Sequence, residues 1–339
     1  MSVHNFAEPD PDPDEPQEPS RLAAEFRAEL LTTEQLKALP PPTPLVDGLL
    51  NLNSLALVYG GSGVGKTHVA IALAKHVALG MWWFGREVTA GPVVYVVAEG
   101  VSGTGQRVDA FEQHHQVIGA ASQPLYWYPK AVNIFDPGWA GVVAEAVTDL
   151  HPSMIVFDTL ARCVAGAEEN SAKDVGQIVA NLDLIRRITG ACVLLVHHTG
   201  KDALAGARGS SALKGAMDTE IEITGDVDAL VIKNTKQKDG PKAAPLRLSL
   251  VSVQGTGSVT VTRARGVDPD RLPDSVNATL EALVAIDVPG GVAAGAWKAS
   301  AELPERTFYR HRKYLLDAEM VTNEGTDSTP RYRPTKTAS

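Results

Sequence analysis

The chain is short of cysteine, of long apolar runs and of cationic charge at its start, and each shortage excludes something. Two cysteines in 339 residues, Cys163 and Cys192, are too few for a disulfide-stapled scaffold. Cys192 sits in an apolar strand pattern and reads as a small core residue. The longest mostly apolar helical pattern, Val69 to Phe84, is interrupted by Lys75 and His76, so no membrane span is expected. The first residues lack a basic segment followed by an apolar run, which argues against a signal peptide and for a cytoplasmic protein. No internal repeat is visible, and no Cys or His set stands at metal-ligand spacing.

What is present is ordinary in bulk, with 44% hydrophobic and 21% charged residues. It is uneven in distribution. Residues 1–20, "MSVHNFAEPDPDPDEPQEPS", hold six carboxylates, five prolines and no Lys or Arg. Such a tail cannot bury apolar surface and reads as disordered. Removing its six carboxylates from the formal net charge of −9 leaves −3, so any nucleic-acid site must be local rather than a general basic field.

The spacing predicts five segments. After the tail (1–20), "RLAAEFRAELLTTEQLKAL" has helical periodicity over 21–39 and "PPPTP" stops it. Over 40–265, short apolar strands ("SLALVY", "PVVYVVA", "PSMIVFD", "ACVLLVH", "TEIEIT", "ALVIKN", "LRLSLV") alternate at first with helices near Thr67–Ala78, Gln106–His115 and Val175–Ile188. This pattern predicts an α/β domain with a mostly parallel sheet covered on both faces, the closely spaced later strands adding an antiparallel extension. "GVDPDRLPD" (266–274) is a linker. Residues 275–339 predict three short helices, Ser275–Ile286, Gly295–Ala301 and Pro304–Glu319, then a two-stranded hairpin, the layout of a winged helix.

"GGSGVGKT" (Gly60, Gly61, Ser62, Gly63, Val64, Gly65, Lys66, Thr67) follows a strand and opens a helix, the context in which G-x-x-x-x-G-K-[ST] is a nucleotide-binding P-loop. Its glycines let backbone N–H groups turn inward around phosphates at a helix N-terminus. Lys66 would neutralise the β and γ oxygens of the nucleotide, and Thr67 would hold Mg²⁺. Asp158, ending "MIVFD", is the second metal-side oxygen. Glu99, ending "VVYVVAE", is either a solvated strand end or the base that takes a proton from water. "VLLVHH" ends in His197 and His198, which face opposite ways on a strand, so one of them points to the γ-phosphate.

Taken together, "GGSGVGKT", "AEG", "IVFDTLARC", "VHHTGK" and "ARGSSALKGAMD" resemble the RecA-like ATPases, and within them the RepA-type hexameric replicative helicases of plasmids and phages. The resemblance covers Pro40 to Val261, about two thirds of the chain. It implies an ATPase using ATP and Mg²⁺, with Lys66 and Thr67 as the P-loop pair, Glu99 as catalytic base and Asp158 on the metal. It puts His197 at the sensor position and Arg208 as an arginine finger reaching a neighbouring subunit. It also implies a homo-oligomer, a hexameric ring, on single-stranded DNA, with a primase or loader as a further partner. Lys201 and Lys214, in the loop after the histidines, are then DNA contacts. Lys233, Lys236 and Lys238 compete with Arg208 for the finger role, or belong to a solvated hairpin. The C-terminal segment lies outside the family pattern. There Arg306, Arg310, Arg312 and Lys313 on one helix, with Arg331 and Arg333 on the hairpin, suit contact with duplex DNA. The competing readings are a RecA-like recombination or annealing ATPase and an ATP-switched initiator or helicase loader.

Overall fold

The structure is a computed structural model that describes residues 18–117, 124–168, 171–198, 208–226, 229–264, 274–317, 320–326 and 328–335. Residues 1–17 of the acidic tail, 266–273 of the linker and Lys201 lie outside the described residues. Among the described residues, those up to Pro42 form one compact unit and those from Thr43 onward another.

In the first unit the single helix expected over 21–39 is two: α1 (Glu18–Ala28) and α2 (Thr33–Lys37). The break is chemical. Thr32 accepts from the Gln35 N–H at 3.2 Å, and the Gln35 side chain accepts from the Thr32 N–H at 2.8 Å. This reciprocal capping box starts a new helix instead of continuing the old one.

The second unit opens with a small antiparallel pair, β1 (Pro44–Val46) and β2 (Leu50–Asn51), and then builds the main sheet. Its parallel part alternates with helices in chain order: β3 (Ser54–Gly60), α3 (Lys66–Leu79), β4 (Val93–Val97), α4 (Val101–His114), β5 (Leu125–Tyr128), α5 (Pro137–Thr148), β6 (Met154–Asp158), α6 (Ala172–Thr189), β7 (Cys192–His198), α7 (Arg208–Ala216) and β8 (Thr219–Gly225). A 3₁₀ turn, Leu160–Cys163, follows β6. Then β9 (Leu230–Gln237), β10 (Leu246–Val253) and β11 (Ser258–Arg263) extend the sheet antiparallel from β8. The strand order is β11-β10-β9-β8-β3-β7-β6-β4-β5. This is a mixed α/β fold with a large, mostly parallel central sheet, consistent with a RecA-like P-loop core.

Alternation along the buried strands divides the core in two. Ala56, Val58, Leu194, Val196 and Val156 face α3, while Leu55, Leu57, Val193, Leu195, Ile155 and Phe157 face α5 and α6. Helix α3 is buried nearly all round, as a helix apolar on every side must be. Its two polar interruptions are absorbed: Lys75 pairs with Glu112 of α4, and His76 Nδ1 lies 2.6 Å from the Ala72 carbonyl. Strand β11 packs across α3 and α4, so the extension closes over the helix that follows the P-loop. Among the described residues, no helix is long and apolar enough to cross a membrane.

The C-terminal segment holds α8 (Asp274–Val284), β12 (Val292–Ala293), α9 (Ala294–Ala301), α10 (Glu305–Asp317), β13 (Val321–Asn323) and β14 (Arg331–Pro334). The expected hairpin gains a third strand, in the order β12-β14-β13. Trp297, Phe308, Leu315 and Tyr332 form its core with Val276 and Leu283. The segment meets the main core at an aromatic joint just beyond α3. The Trp82 ring lies 5.2 Å from His311 and 5.4 Å from Tyr314, and Arg310 pairs with Glu87. Arg263 donates to the Phe84 carbonyl at 2.8 Å and to the Tyr314 hydroxyl at 3.2 Å.

Candidate nucleotide site

The parallel strands β3, β4, β6 and β7 end at one edge, and each delivers one polar group there, as open α/β sheets do at the carboxyl ends of their strands. From β3 the chain enters the P-loop. Gly60 is required by proximity: a Cβ there would stand 2.3 Å from the Ile223 carbonyl oxygen of β8. Gly65, at φ 96°, turns the loop into α3 through a left-handed conformation that only glycine adopts without strain. Above Gly65 lie the Leu250 and Leu230 side chains of the antiparallel extension.

Lys66 is buried and its ammonium is fully used. It donates to the Gly60 carbonyl at 3.0 Å and the Gly61 carbonyl at 2.6 Å, and stands 3.0 Å from Nδ1 of His198. An ammonium has three donors and no acceptor, so His198 Nδ1 accepts. Its hydrogen therefore sits on Nε2, which lies 3.3 Å from Glu99 Oε1. The other oxygen of Glu99 faces Arg162 Nε at 3.5 Å. Burial lowers the pKa of Lys66, opposed by the charges of Asp158 and Glu99.

Thr67 Oγ1 donates to Asp158 Oδ1 at 3.3 Å, and the Tyr95 hydroxyl donates to Asp158 Oδ2 at 2.7 Å. Burial raises the Asp158 carboxyl above its ordinary range despite those two hydrogen bonds, and Glu99 adds repulsion. Tyr95 is pushed well above the usual phenol value by burial, then by Asp158. Hydroxyl and carboxylate side by side at a P-loop form the hard-oxygen donor set that suits Mg²⁺. Among the described residues, no three His, Cys, Asp or Glu side chains form a metal cage. A P-loop cation needs none, because the nucleotide phosphates complete its shell.

The geometry bears on the histidine pair. The histidine that touches Lys66 and Glu99 is His198, not His197. On β7, His198 continues the face of Leu194 and Val196, toward α3, whereas His197 continues that of Val193 and Leu195, toward α6. Tyr95 and Arg162 were missed. Tyr95 had a signal in its parity, two residues before Val97, which pairs with Asp158 across the sheet.

Other expected residues sit apart from this cluster. Arg208 opens α7, and its side chain lies outside the described residues. Lys214 places Nζ over the Tyr59 ring, 3.7 Å from its centroid. Lys236 donates to the carbonyls of Lys214 and Gly215 at 2.9 and 2.8 Å, and Lys238 pairs with Asp218 at 3.1 Å, while Lys233 is exposed. On α10, Arg310 turns inward to Glu87 and Trp82. Arg333 makes two 3.1 Å bonds to Asp287. Arg312 stacks on Tyr309 and Tyr332, and Arg306, Lys313 and Arg331 are exposed.

A family model described as an AAA domain matches residues 17–203, more than half of the chain. The chain belongs to this family and is an ATPase of the P-loop type.

Proposed function

We propose that this AAA-domain ATPase is an ATP- and Mg²⁺-dependent motor on DNA, a ring-forming replicative helicase of the RepA type. The observation that carries the reading is the convergence of Lys66, Thr67, Glu99, Asp158 and His198 at one sheet edge, from which the chain after β6 and after β7 also departs. A machine that couples hydrolysis to movement needs its catalytic groups and its moving segments on the same edge.

In this reading Lys66 leaves the Gly60 and Gly61 carbonyls for the β- and γ-phosphate oxygens, exchanging neutral acceptors for charged ones. Thr67 and Asp158 would hold Mg²⁺, which would supply charge neutralisation at the phosphates. Tyr95 keeps the Asp158 carboxylate oriented. Glu99 takes the proton of the attacking water as the new P–O bond forms and the bond to the ADP oxygen breaks. His198 loses the Lys66 hydrogen bond when nucleotide binds and can then report the γ-phosphate to the chain beyond β7. Arg208 acts in trans on a neighbour's nucleotide within a hexameric ring. Lys236 and Lys238 are occupied inside their own chain, which favours Arg208 over these two lysines.

Single-stranded DNA is the track, contacted by the segments after β6 and β7, including Lys201. The C-terminal three helices and three strands act as a winged helix on duplex DNA. Arg306, Tyr309 and Lys313 of α10, with Arg331, form its outward basic and aromatic face. That face also supports a second reading, an ATP-switched initiator or loader in which duplex binding is the main task.

The experiment is unwinding of a forked duplex with ATP and Mg²⁺, with Lys66→Ala as the blank. Strand release that requires Lys66 supports the helicase. Absence of release together with a protected duplex site in footprinting moves the assignment to the initiator.

A further inference from the structure

We propose that the ATPase core masks the duplex-binding face of its own C-terminal segment, with Glu87 and Trp82 holding Arg310 of α10 until duplex DNA takes it. This rests on the winged-helix reading above, to which it adds a control. Arg306, Arg310 and Lys313 stand at i, i+4 and i+7 of α10 and so share one side of the helix. Arg306 and Lys313 are exposed, whereas Arg310 between them is turned to the core. Its guanidinium pairs with Glu87 and lies over the Trp82 ring, 5.4 Å from the centroid. The middle cation of a basic row is thus held within its own chain. Glu87 also sets a carboxylate at the border of that row, where a phosphate would approach.

The contact is built to open. The Glu87 side chain keeps 53% exposure, and an ion pair that open to water is weak. Among the described residues, Arg310 Nε and Trp82 Nε1 are buried with no hydrogen-bond partner. Opening would hydrate both, and a donor left unsatisfied in the closed state lowers that state's stability. Holding it shut are the Trp82 contacts with His311 and Tyr314 and the Arg263 bond to the Tyr314 hydroxyl. The C-terminal core does not depend on the joint: Trp297, Phe308, Leu315 and Tyr332 pack together, and Thr279 holds His311 at 2.7 Å. A phosphodiester is the better partner for Arg310, because two of its oxygens match the guanidinium fork. Binding then leaves Glu87 behind on the core and makes the row of three cations continuous.

The test titrates a labelled blunt duplex with the full, nucleotide-free chain by fluorescence anisotropy. Glu87→Gln tightens Kd by about two- to fivefold, the factor an exposed ion pair imposes. In an Arg310→Ala background the same change has no effect, since nothing is left to unmask. Acrylamide quenching of Trp82, read as the difference between wild type and Trp82→Phe, rises with duplex and in Glu87→Gln alone. An unchanged Kd in Glu87→Gln overturns the mask. So does a gain that persists without Arg310, which makes Glu87 a plain repulsive charge. If no variant binds duplex, the winged-helix reading fails, and the quenching of Trp82 in Glu87→Gln decides the mask by itself: a rise keeps it, no change ends it.

Discussion

His198 and Lys66 meet across the P-loop, Nδ1 to Nζ at 3.0 Å, and the contact fixes which ring nitrogen of the histidine carries the hydrogen. The lysine proposed to grip phosphate and the residue proposed to orient the base are therefore neighbours before any nucleotide arrives. A change in either alters the other's hydrogen bonds.

His198→Ala is expected to cut ATP turnover by at least about tenfold, and Glu99→Gln by about 10²-fold or more, the range for loss of a positioned proton acceptor. His197→Ala stays within about twofold of wild type, because the opposite face of β7 turns it away from Lys66 and the base. Phosphate-release assays on the three variants decide this. Equal losses from the two histidine variants would sink the assignment.

Asp158→Asn should stabilise the nucleotide-free protein while abolishing Mg²⁺-dependent turnover. The folded-state pKa of Asp158 is raised, mainly by burial, so the folded chain holds that proton more tightly than the unfolded one. Stability from this group is therefore lost as pH rises through the window above its ordinary 3.8. At neutral pH the buried charge, only partly offset by its hydrogen bonds, costs stability, and Asn removes the charge while keeping a donor and an acceptor. A rise in Tm of about 2–4 °C at pH 7.5 in EDTA is expected. An unchanged or lower Tm contradicts it.

His76 makes the opposite prediction. Burial among Trp83, Phe84, Phe111 and His115 lowers its pKa from 6.5 to about 4. The unfolded state then binds the proton first, so stability falls as pH drops from 6.5 toward 4, by up to about 3 kcal/mol for this group. His68 and His115, lowered to about 4 and about 3, act in overlapping windows. Urea midpoints measured across this range should fall less steeply for His76→Phe than for wild type. Parallel curves would remove His76 from the acid response.

Arg208→Ala should lose ATP hydrolysis while keeping ATP binding, as expected of a group that acts on a neighbour's nucleotide. Lys233→Ala should leave turnover within about twofold. Fluorescent-nucleotide binding beside phosphate release separates the two effects. Full turnover in Arg208→Ala would remove it from the mechanism.

The readable parts of this protein were those whose chemistry is local. The P-loop shows in sequence because its glycines answer to backbone geometry within eight residues. The strand ends at Glu99 and Asp158 show because a carboxylate after a buried run has few other places to be. The break between α1 and α2 was available in "TTEQ", whose Thr32 and Gln35 cap each other, but the helical period across it hid the signal. Strand β5 and helix α5 were not seen: "LYWY" is too short for alternation, and "DPGWAG" reads as a turn although Pro137 is the first helical residue after the Asp136 cap. The choice between His197 and His198 needed the face of β7, and a strand apolar on both sides does not declare one. The pairing of Arg310 with Glu87 and of Arg333 with Asp287 was not legible, because the partners are distant in sequence.

Lys236 binds the last carbonyls of α7, and Lys214 rests on Tyr59. The helix is thereby clamped at the end remote from Arg208. Nine residues make a rod of about 13 Å, so tilting it by roughly 5° about the clamp carries its first residue about 1 Å. A pivot at one end and an arginine at the other turn small strains in the β8–β9 hairpin into displacement on the scale of a hydrogen bond.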